Sequence, residues 1–175
     1  MSFLASQLSR FDRIPITCLL PALTYAKHTL MTDLRGKLLK IAPVVFDETA
    51  VLFAYLYGSY ATGLSHPFSD LDIGIFVEGL ERKACLDLEL SLGLSIDGHL
   101  DHIVPSEVRV LNHLPLSVQG RILSDAQLIY SRAEGQRIEF ETRVRIAYFD
   151  FLPVIYQYQS AYRERAFAVQ DHDIG

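Results

Sequence analysis

Two apolar runs joined by a short polar segment constrain the fold of this chain more than any other feature. The first run, Val51–Tyr57, is VLFAYLY, and the second, Leu71–Val77, is LDIGIFV. Continuous apolar runs of this length, bounded by glycine, are typical of strands that are buried on both faces. Gly58 follows the first run and Gly79 closes the second. We therefore predict two neighbouring strands of a buried sheet, connected by a polar loop.

The polar segment carries the residue types of a phosphate and metal site. Gly58 and Ser59 directly follow the first run, and Asp70 and Asp72 come after ten further residues. A glycine lets backbone approach a bulky anion, and a serine hydroxyl with neighbouring N–H groups holds phosphate oxygens. Residues i and i+2 of a strand share a face, so the two carboxylates repel each other unless a cation lies between them. This pattern favours Mg²⁺, although a solvated surface turn would carry the same letters.

A third carboxylate lies in the short apolar stretch HLDHIV, His99–Val104. This stretch predicts a third strand. If it lies beside the second strand, Asp101 joins Asp70 and Asp72 as a third acid. Such a group deprotonates or orients an attacking hydroxyl. The alternative is an exposed aspartate on an edge strand.

The rest of the chain predicts mainly helices. The alternating leucines of Glu81–Gly93 fit a strand by period alone, but the abundance of Leu and Glu and the lack of β-branched residues favour a helix. Leu116–Leu123 predicts a further helix and Ala126–Ser131 a short edge strand. The expected fold class is therefore α/β (α+β): a small mixed sheet flanked by helices, with a C-terminal helix.

The length of 175 residues suits one domain with an appendage. Residues 1–30 have mixed periodicity that prolines interrupt. A new helix is then predicted to begin at Thr32 or Asp33 and to end at Pro43. We predict an N-terminal extension of unknown role over residues 1–30 and a single domain over residues 31–170.

A long helix is predicted from about Gln136 to Val169, kinked or interrupted at Pro153. One stripe of apolar residues recurs every three or four positions and should cover the core: Phe140, Val144, Tyr148, Phe151, Ile155, Tyr158 and Tyr162. A second stripe on an adjacent face consists of Phe149, Leu152 and Tyr156. Because aromatic residues are enriched in buried interface centres, the second stripe predicts a docking surface for a partner. The alternative is that both stripes are core.

Composition argues against several classes of protein. The net charge of −5 disfavours a broad basic face for nucleic acid. Two cysteines, Cys18 and Cys85, make neither a disulfide framework nor a metal cluster. The apolar segment Ile14–Ala26 is weakly similar to a signal peptide, but Pro15 and Pro21 break it. We expect a cytoplasmic protein that binds neither membranes nor nucleic acid directly.

The spaced motif resembles that of a known superfamily. Gly58-Ser59, Asp70-x-Asp72 and a later strand aspartate look like the nucleotidyltransferases of the DNA polymerase β type. The short chain and the segment LPLSVQGRILSDAQLIYS resemble, more narrowly, the minimal nucleotidyltransferase (MNT) proteins. Proteins of this family are antitoxins of HEPN-domain toxins. The resemblance covers roughly residues 33–162 and implies the polymerase β-like fold.

The resemblance implies a role for each motif residue. Gly58 and Ser59 would hold the nucleoside triphosphate. Asp70 and Asp72, with Asp101 as the third acid, would bind two Mg²⁺ ions. The implied reaction transfers AMP from ATP to a tyrosine hydroxyl of a HEPN toxin and releases pyrophosphate, which makes the chain a protein adenylyltransferase. The implied assembly is a hetero-oligomer with that toxin.

Two other functions would use the same fold. A small-molecule nucleotidyltransferase, such as one that modifies an antibiotic, shares the acids but usually needs a further domain for its acceptor. An antitoxin that acts by binding alone needs no active acids. Thr62 stands where the related proteins often carry arginine, which removes one phosphate contact. Substituting the aspartates separates catalysis from binding, and a neighbouring HEPN gene separates the antitoxin from the small-molecule enzyme.

Overall fold

The computed structural model describes residues 34–66 and 68–170, with side chains through residue 165. The predicted N-terminal extension, the predicted helix start at Thr32 or Asp33, and Cys18 lie outside these residues. The first described helix, α1, spans residues 34–46. It continues through Pro43, so the prediction that this proline ends the helix is wrong. Val45 and Phe46 in the following turn are buried, and their packing outweighs the hydrogen bond that proline removes.

A four-stranded sheet in the order β3-β2-β1-β4 forms the centre of the described part. β1 pairs antiparallel with β2 and β4, whereas β2 and β3 are parallel. This mixed sheet with flanking helices confirms the expected fold class. Along the chain, the elements after α1 are β1 (Val51–Tyr57), α2 (Gly58–Thr62), β2 (Leu71–Val77), α3 (Arg82–His99), β3 (Ser106–Val110), α4 (Leu116–Asp125), β4 (Gln127–Ser131) and α5 (Glu134–Gln170).

The third strand begins later than the sequence predicts. The segment His99–Val104 is the end of α3 and a turn, so its assignment as a strand is wrong. Asp101 is exposed in this turn, and its φ of 55° is incompatible with a strand. A helix that connects parallel strands must return along the whole sheet. The 18 residues of α3 span about 27 Å, which exceeds the ~23 Å of β2.

Each face of the sheet is covered by a different pair of helices. α1 and α3 pack on one face around Leu38, Ile73 and Ile96, all of which are fully buried. α4 and α5 pack on the other. On that face the rings of Phe53 and Phe76 stack at 4.6 Å between centroids. The helix predictions for α3, α4 and α5 and the edge-strand prediction for β4 are confirmed. α5 continues through Pro153 as one helix, so the proline does not interrupt it.

The C-terminal helix α5 packs on the domain over only part of its 37 residues. Phe140 and Val144 are buried, and Tyr148 is half-buried. After Tyr148, both predicted stripes are largely exposed: Tyr156 is 60% and Tyr158 is 74% accessible. Within the described residues, the prediction of one continuous core stripe therefore holds only as far as Tyr148. No helix in this part of the chain combines the length and apolar character that crossing a bilayer requires.

Candidate active site

Three strands place Tyr57, Asp72 and Glu107 in one row across the sheet. Tyr57 of β1 lies opposite Asp72 of β2, and Asp72 lies opposite Glu107 of β3. Side chains that face each other on neighbouring strands point to the same side of the sheet. Asp70 stands two residues before Asp72, just outside β2. We call Asp70, Asp72 and Glu107 the acidic row; it lies where β1 enters α2.

The Gly58 turn lies directly against Asp72. Gly58 has a φ of 69°, which favours glycine over every residue with a side chain. A Cβ at this position would overlap a carboxylate oxygen of Asp72 and come within 3.0 Å of its Cγ. The structure thus joins the two halves of the sequence motif, and glycine is required for both conformation and space.

Hydrogen bonds hold α2 in place behind this turn. The Thr62 hydroxyl donates to the Gly58 carbonyl at 3.1 Å, and the Leu64 N–H donates to the Ser59 carbonyl at 2.9 Å. From β4, the Gln127 amide donates to the Ala61 carbonyl at 2.6 Å. Ser59 is half-buried at the start of this short helix. The position of Gly58 and Ser59 is therefore set by β1, which directly precedes them, and by β4, through the bond from Gln127 to α2.

The loop before β2 fixes the backbone on both sides of Asp70. Ser69 is buried; its N–H donates to the His66 carbonyl at 2.9 Å, and its hydroxyl accepts from the His66 N–H at 2.8 Å. On the other side, the Leu71 N–H donates to the Pro105 carbonyl at 2.9 Å. Asp70 itself is exposed. An exposed carboxylate on an anchored backbone is available to a ligand.

Glu107 takes the strand position that the sequence assigned to Asp101. Its carboxylate forms an ion pair with Arg109, whose Nε donates to Glu107 Oε1 at 2.6 Å. Sequence reasoning missed both residues. The signal was present in SEVRV, where Val108 and Val110 alternate with polar residues as in a half-buried strand. The turn at Asp101 lies before β3, outside the sheet.

The acidic row carries unbalanced negative charge. Burial raises the pKa of Asp72, and the charges of Glu107 and Asp70 raise it further, while Arg109 opposes them. The same surroundings raise the pKa of the Tyr57 hydroxyl to about 12, through burial first and the Asp72 charge second. Negative charges that lie this close to a partly buried carboxylate are offset by a bound cation.

The donor set fits Mg²⁺ through two carboxylates. In residues 34–66 and 68–165, no three His, Cys, Asp or Glu side chains are grouped closely enough to form a metal cage by themselves. Mg²⁺ does not need one, because it binds through one or two carboxylates, waters and substrate phosphates. Asp70 and Asp72 supply such a pair, whereas Glu107 is held by Arg109. The residues therefore fit a Mg²⁺ ion whose remaining ligands come from water or a substrate.

A cleft of about 670 Å³ opens beside the row. Gly58 lies on one side and α4 on the other, where Val118 and Ile122 supply apolar surface. The charged residues among those that line it are Arg109, Arg121 and Asp125. An apolar wall with a few convergent charges is typical of a small-molecule site, and guanidinium groups suit phosphate oxygens.

Comparison with known proteins gives a family and a fold. The family model described as Polymerase beta, Nucleotidyltransferase matches residues 39–135. No curated protein sequence matches this chain.

Solved structures similar to this chain include a mutant of the toxin–antitoxin MntA-HpeT, at 17% identity and a TM-score of 0.50, covering 78% of this chain and 97% of that one. A toxin–antitoxin with AMP-PNP matches at 18% identity and 0.47, covering 81% and 98%. A complex of tri-AMPylated Shewanella oneidensis HEPN toxin with MNT antitoxin matches at 15% and 0.46, covering 83% and 99%.

Proposed function

This chain belongs to the polymerase beta nucleotidyltransferase family, and we propose that it transfers AMP from ATP to a protein hydroxyl, releasing pyrophosphate. One observation carries the proposal: the Gly58 turn contacts Asp72 in the acidic row, beside a cleft that carries two arginines. The turn offers backbone and a serine to phosphates, and the carboxylates offer oxygen ligands to Mg²⁺. Both halves of a nucleotide-transfer site thus lie together.

Each residue has a defined task in this reaction. Asp70 and Asp72 hold Mg²⁺, which when bound offsets the charge of the phosphates. Gly58 and Ser59 cradle the phosphates. Arg109 and Arg121 donate to phosphate oxygens from the cleft wall. The nucleotide is therefore oriented before the acceptor arrives, and catalysis is mainly positioning and charge compensation.

Glu107 is the proposed third acid, in place of Asp101. The acceptor oxygen attacks the α-phosphorus in line, the bond from phosphorus to the pyrophosphate oxygen breaks, and the acceptor proton passes to a Glu107 carboxylate oxygen. Arg109 holds this carboxylate in the free protein. When Arg109 contacts phosphate instead, Glu107 becomes free to accept the proton.

The proposed acceptor is a tyrosine of a HEPN-type toxin, and the proposed assembly is cytoplasmic. The exposed aromatic part of α5 supports a protein acceptor. Tyr148 packs against Gly120 of α4, and α4 also lines the cleft. The exposed residues Phe149 and Tyr156 follow this contact along α5. In this proposal, a partner docked on them extends over α4 to reach the cleft.

The test is adenylylation of the partner by labelled ATP and Mg²⁺. We expect Asp72→Asn and Glu107→Gln to lower the transfer rate by roughly 100-fold or more, because each removes charge or proton transfer in the transition state. Asp101→Asn is the matched control and should keep the wild-type rate. Wild-type transfer by Asp72→Asn would contradict the site, and loss of transfer by Asp101→Asn would reverse the assignment of the third acid.

Stability measurements separate a catalytic defect from misfolding. The raised pKa of Asp72 means that its ionised form is less stable in the fold than in the unfolded chain, so Asp72 opposes folding at neutral pH. The neutral Asp72→Asn variant should therefore unfold at the same temperature as the wild type or above it. A lower unfolding temperature would attribute lost transfer to misfolding.

Neutralisation by binding alone is the second candidate, and the exposed aromatic face of α5 favours it. In that case Asp72→Asn loses transfer but still blocks the toxin in a growth assay. If neutralisation is lost together with transfer, AMP transfer is the protective activity.

A further inference from the structure

Helix α3 presents a row of leucines to solvent on the side away from its buried face. Leu86, Leu90 and Leu94 are 62%, 68% and 63% accessible, whereas Cys85 and Ile96 on the opposite face are buried. The leucines are spaced four residues apart and therefore form one stripe along the helix. Three exposed leucines in a row are unfavourable in water and indicate a surface that is covered in an assembly.

The stripe lies beside β3, the edge strand of the sheet, but this edge is protected against another strand. The Ser106 N–H donates to Asp97 Oδ1 at 2.8 Å, and the Val110 N–H donates to Glu89 Oε1 at 2.6 Å. Both acceptors come from α3. Since side chains already occupy these backbone donors, an added strand would have to displace them. The surface is therefore suited to a helix.

Oppositely charged residues stand at the two ends of the stripe. Lys83 precedes the first leucine by three residues, and Asp97 follows the last by three. Both lie on the helix face of the leucines, because steps of three and four residues stay on one face. Hydrogen bonds from the Ser106 N–H and hydroxyl, at 2.8 and 2.6 Å, fix the Asp97 carboxylate in position.

This pattern is symmetric about Leu90, and its charge is reversed between the two ends. We propose that the covering partner is a second copy of this chain, whose α3 packs antiparallel on a two-fold axis through Leu90. In this arrangement Leu86 meets Leu94 of the second copy, and Lys83 meets its Asp97. A surface that is self-complementary in both shape and charge is what a two-fold interface requires.

A shallow groove beside the stripe provides the space for interlocking side chains. The groove has a volume of about 320 Å³ and is bordered by the three leucines, Gly93 and Val108. Gly93 has no side chain, so the groove floor is low there. A leucine from the second copy can fill this space, in the way that side chains of packed helices interdigitate.

Disulfide trapping of the full-length chain tests the axis and the register. In a Cys18→Ser, Cys85→Ala background, Leu90→Cys should form a covalent dimer by itself, because residue 90 meets its own copy on the axis. Leu86→Cys should not do so by itself, but should cross-link when mixed with Leu94→Cys. Dimers from Leu86→Cys alone, or none from Leu90→Cys, would overturn the arrangement.

Sedimentation of the chain with its native cysteines provides the thermodynamic test. Leu90→Glu should raise the dimer dissociation constant by roughly 100-fold or more, because it buries two carboxylates against each other. Lys83→Glu should raise it by roughly tenfold through like-charge repulsion. Val44→Glu, on exposed α1 surface, is the control and should leave it unchanged. A wild-type monomer at all concentrations, or an α3 face that binds only the HEPN-type toxin and not a second copy, would overturn the proposal.

Discussion

The two halves of α5 both carry apolar stripes but have different surroundings. In the first half, Phe140 and Val144 are buried, and Phe140 contacts the rings of Phe53 and Phe76 at 5.6 and 4.9 Å between centroids. In the second half, Tyr158 and its aromatic neighbours are exposed. An apolar stripe thus predicts that a helix face is to be covered. It does not tell whether the same domain or another molecule covers it. The first half stabilises this domain, whereas the second half is available to another molecule.

The largest effect that tests this difference is expected in the first half. Phe140→Ala should lower the free energy of unfolding by about 3–5 kcal/mol, because it leaves a cavity among packed rings. Chemical denaturation measures the loss. Tyr158→Ala is the matched control from the second half. Equal losses in the two variants would mean that both halves stabilise the domain.

The boundary between the halves lies where Tyr148 passes Gly120. A Cβ on residue 120 would overlap the Tyr148 ring. Gly120→Ala should therefore lower the free energy of unfolding by about 1–3 kcal/mol, although alanine is the better helix former. Without the Tyr148 ring the added methyl group has space. A double-mutant cycle should therefore show that Gly120→Ala costs less in a Tyr148→Ala background than in the wild type. Additive losses would place the strain elsewhere.

A smaller effect is expected at the polar contact between β1 and α5. The Tyr55 hydroxyl donates to Glu141 Oε1 at 2.7 Å, so Tyr55→Phe should cost about 1 kcal/mol. Burial, then the hydrogen bond to Glu141, raises the pKa of Tyr55. Its stabilisation is therefore present below pH ~10, where the unfolded tyrosine titrates, and is lost at higher pH. Chemical denaturation at a series of pH values should show that the free energy of unfolding falls less steeply above pH ~10 in Tyr55→Phe than in the wild type. An equally steep fall in both proteins would contradict this.

The smallest effect on stability is expected in the second half of α5. The double variant Phe149→Ala, Tyr156→Ala should stay within about 0.5 kcal/mol of the wild type, because both side chains are exposed. Calorimetry with the proposed toxin should nevertheless show greatly weakened association. Unchanged affinity would remove this surface from the interface and leave the acidic row unaffected.

The sequence predicted the elements whose patterns are local. β1 and β2 have the predicted bounds because apolar runs between glycines specify buried strands. β3 was misplaced because Leu100 is apolar for a different reason: it is fully buried at the end of α3. β3 is an edge strand with charged residues, so its apolar alternation is a weaker signal than the apolar segment His99–Val104 that precedes it. The prediction thus chose Asp101 over Glu107.

The residues of the candidate site also fall into two groups: those that the local sequence predicts and those that it does not. The glycine turn and the first two acids are close in sequence, so their proximity could be predicted. Arg109 and Arg121 approach the site only through the docking of β3 and α4 on the sheet. No local period encodes that docking, because it depends on how the helices pack.

The parallel pairing of β2 with β3 has a consequence for the timing of synthesis. Arg109 leaves the ribosome 37 residues after Asp72, since α3 lies between them. At about 5–20 residues per second, the delay is roughly 2–7 s. During that interval the nascent chain has both early aspartates and the glycine turn, but neither Glu107 nor Arg109. The proposed site is therefore complete only late in translation, well after the first two strands can pair.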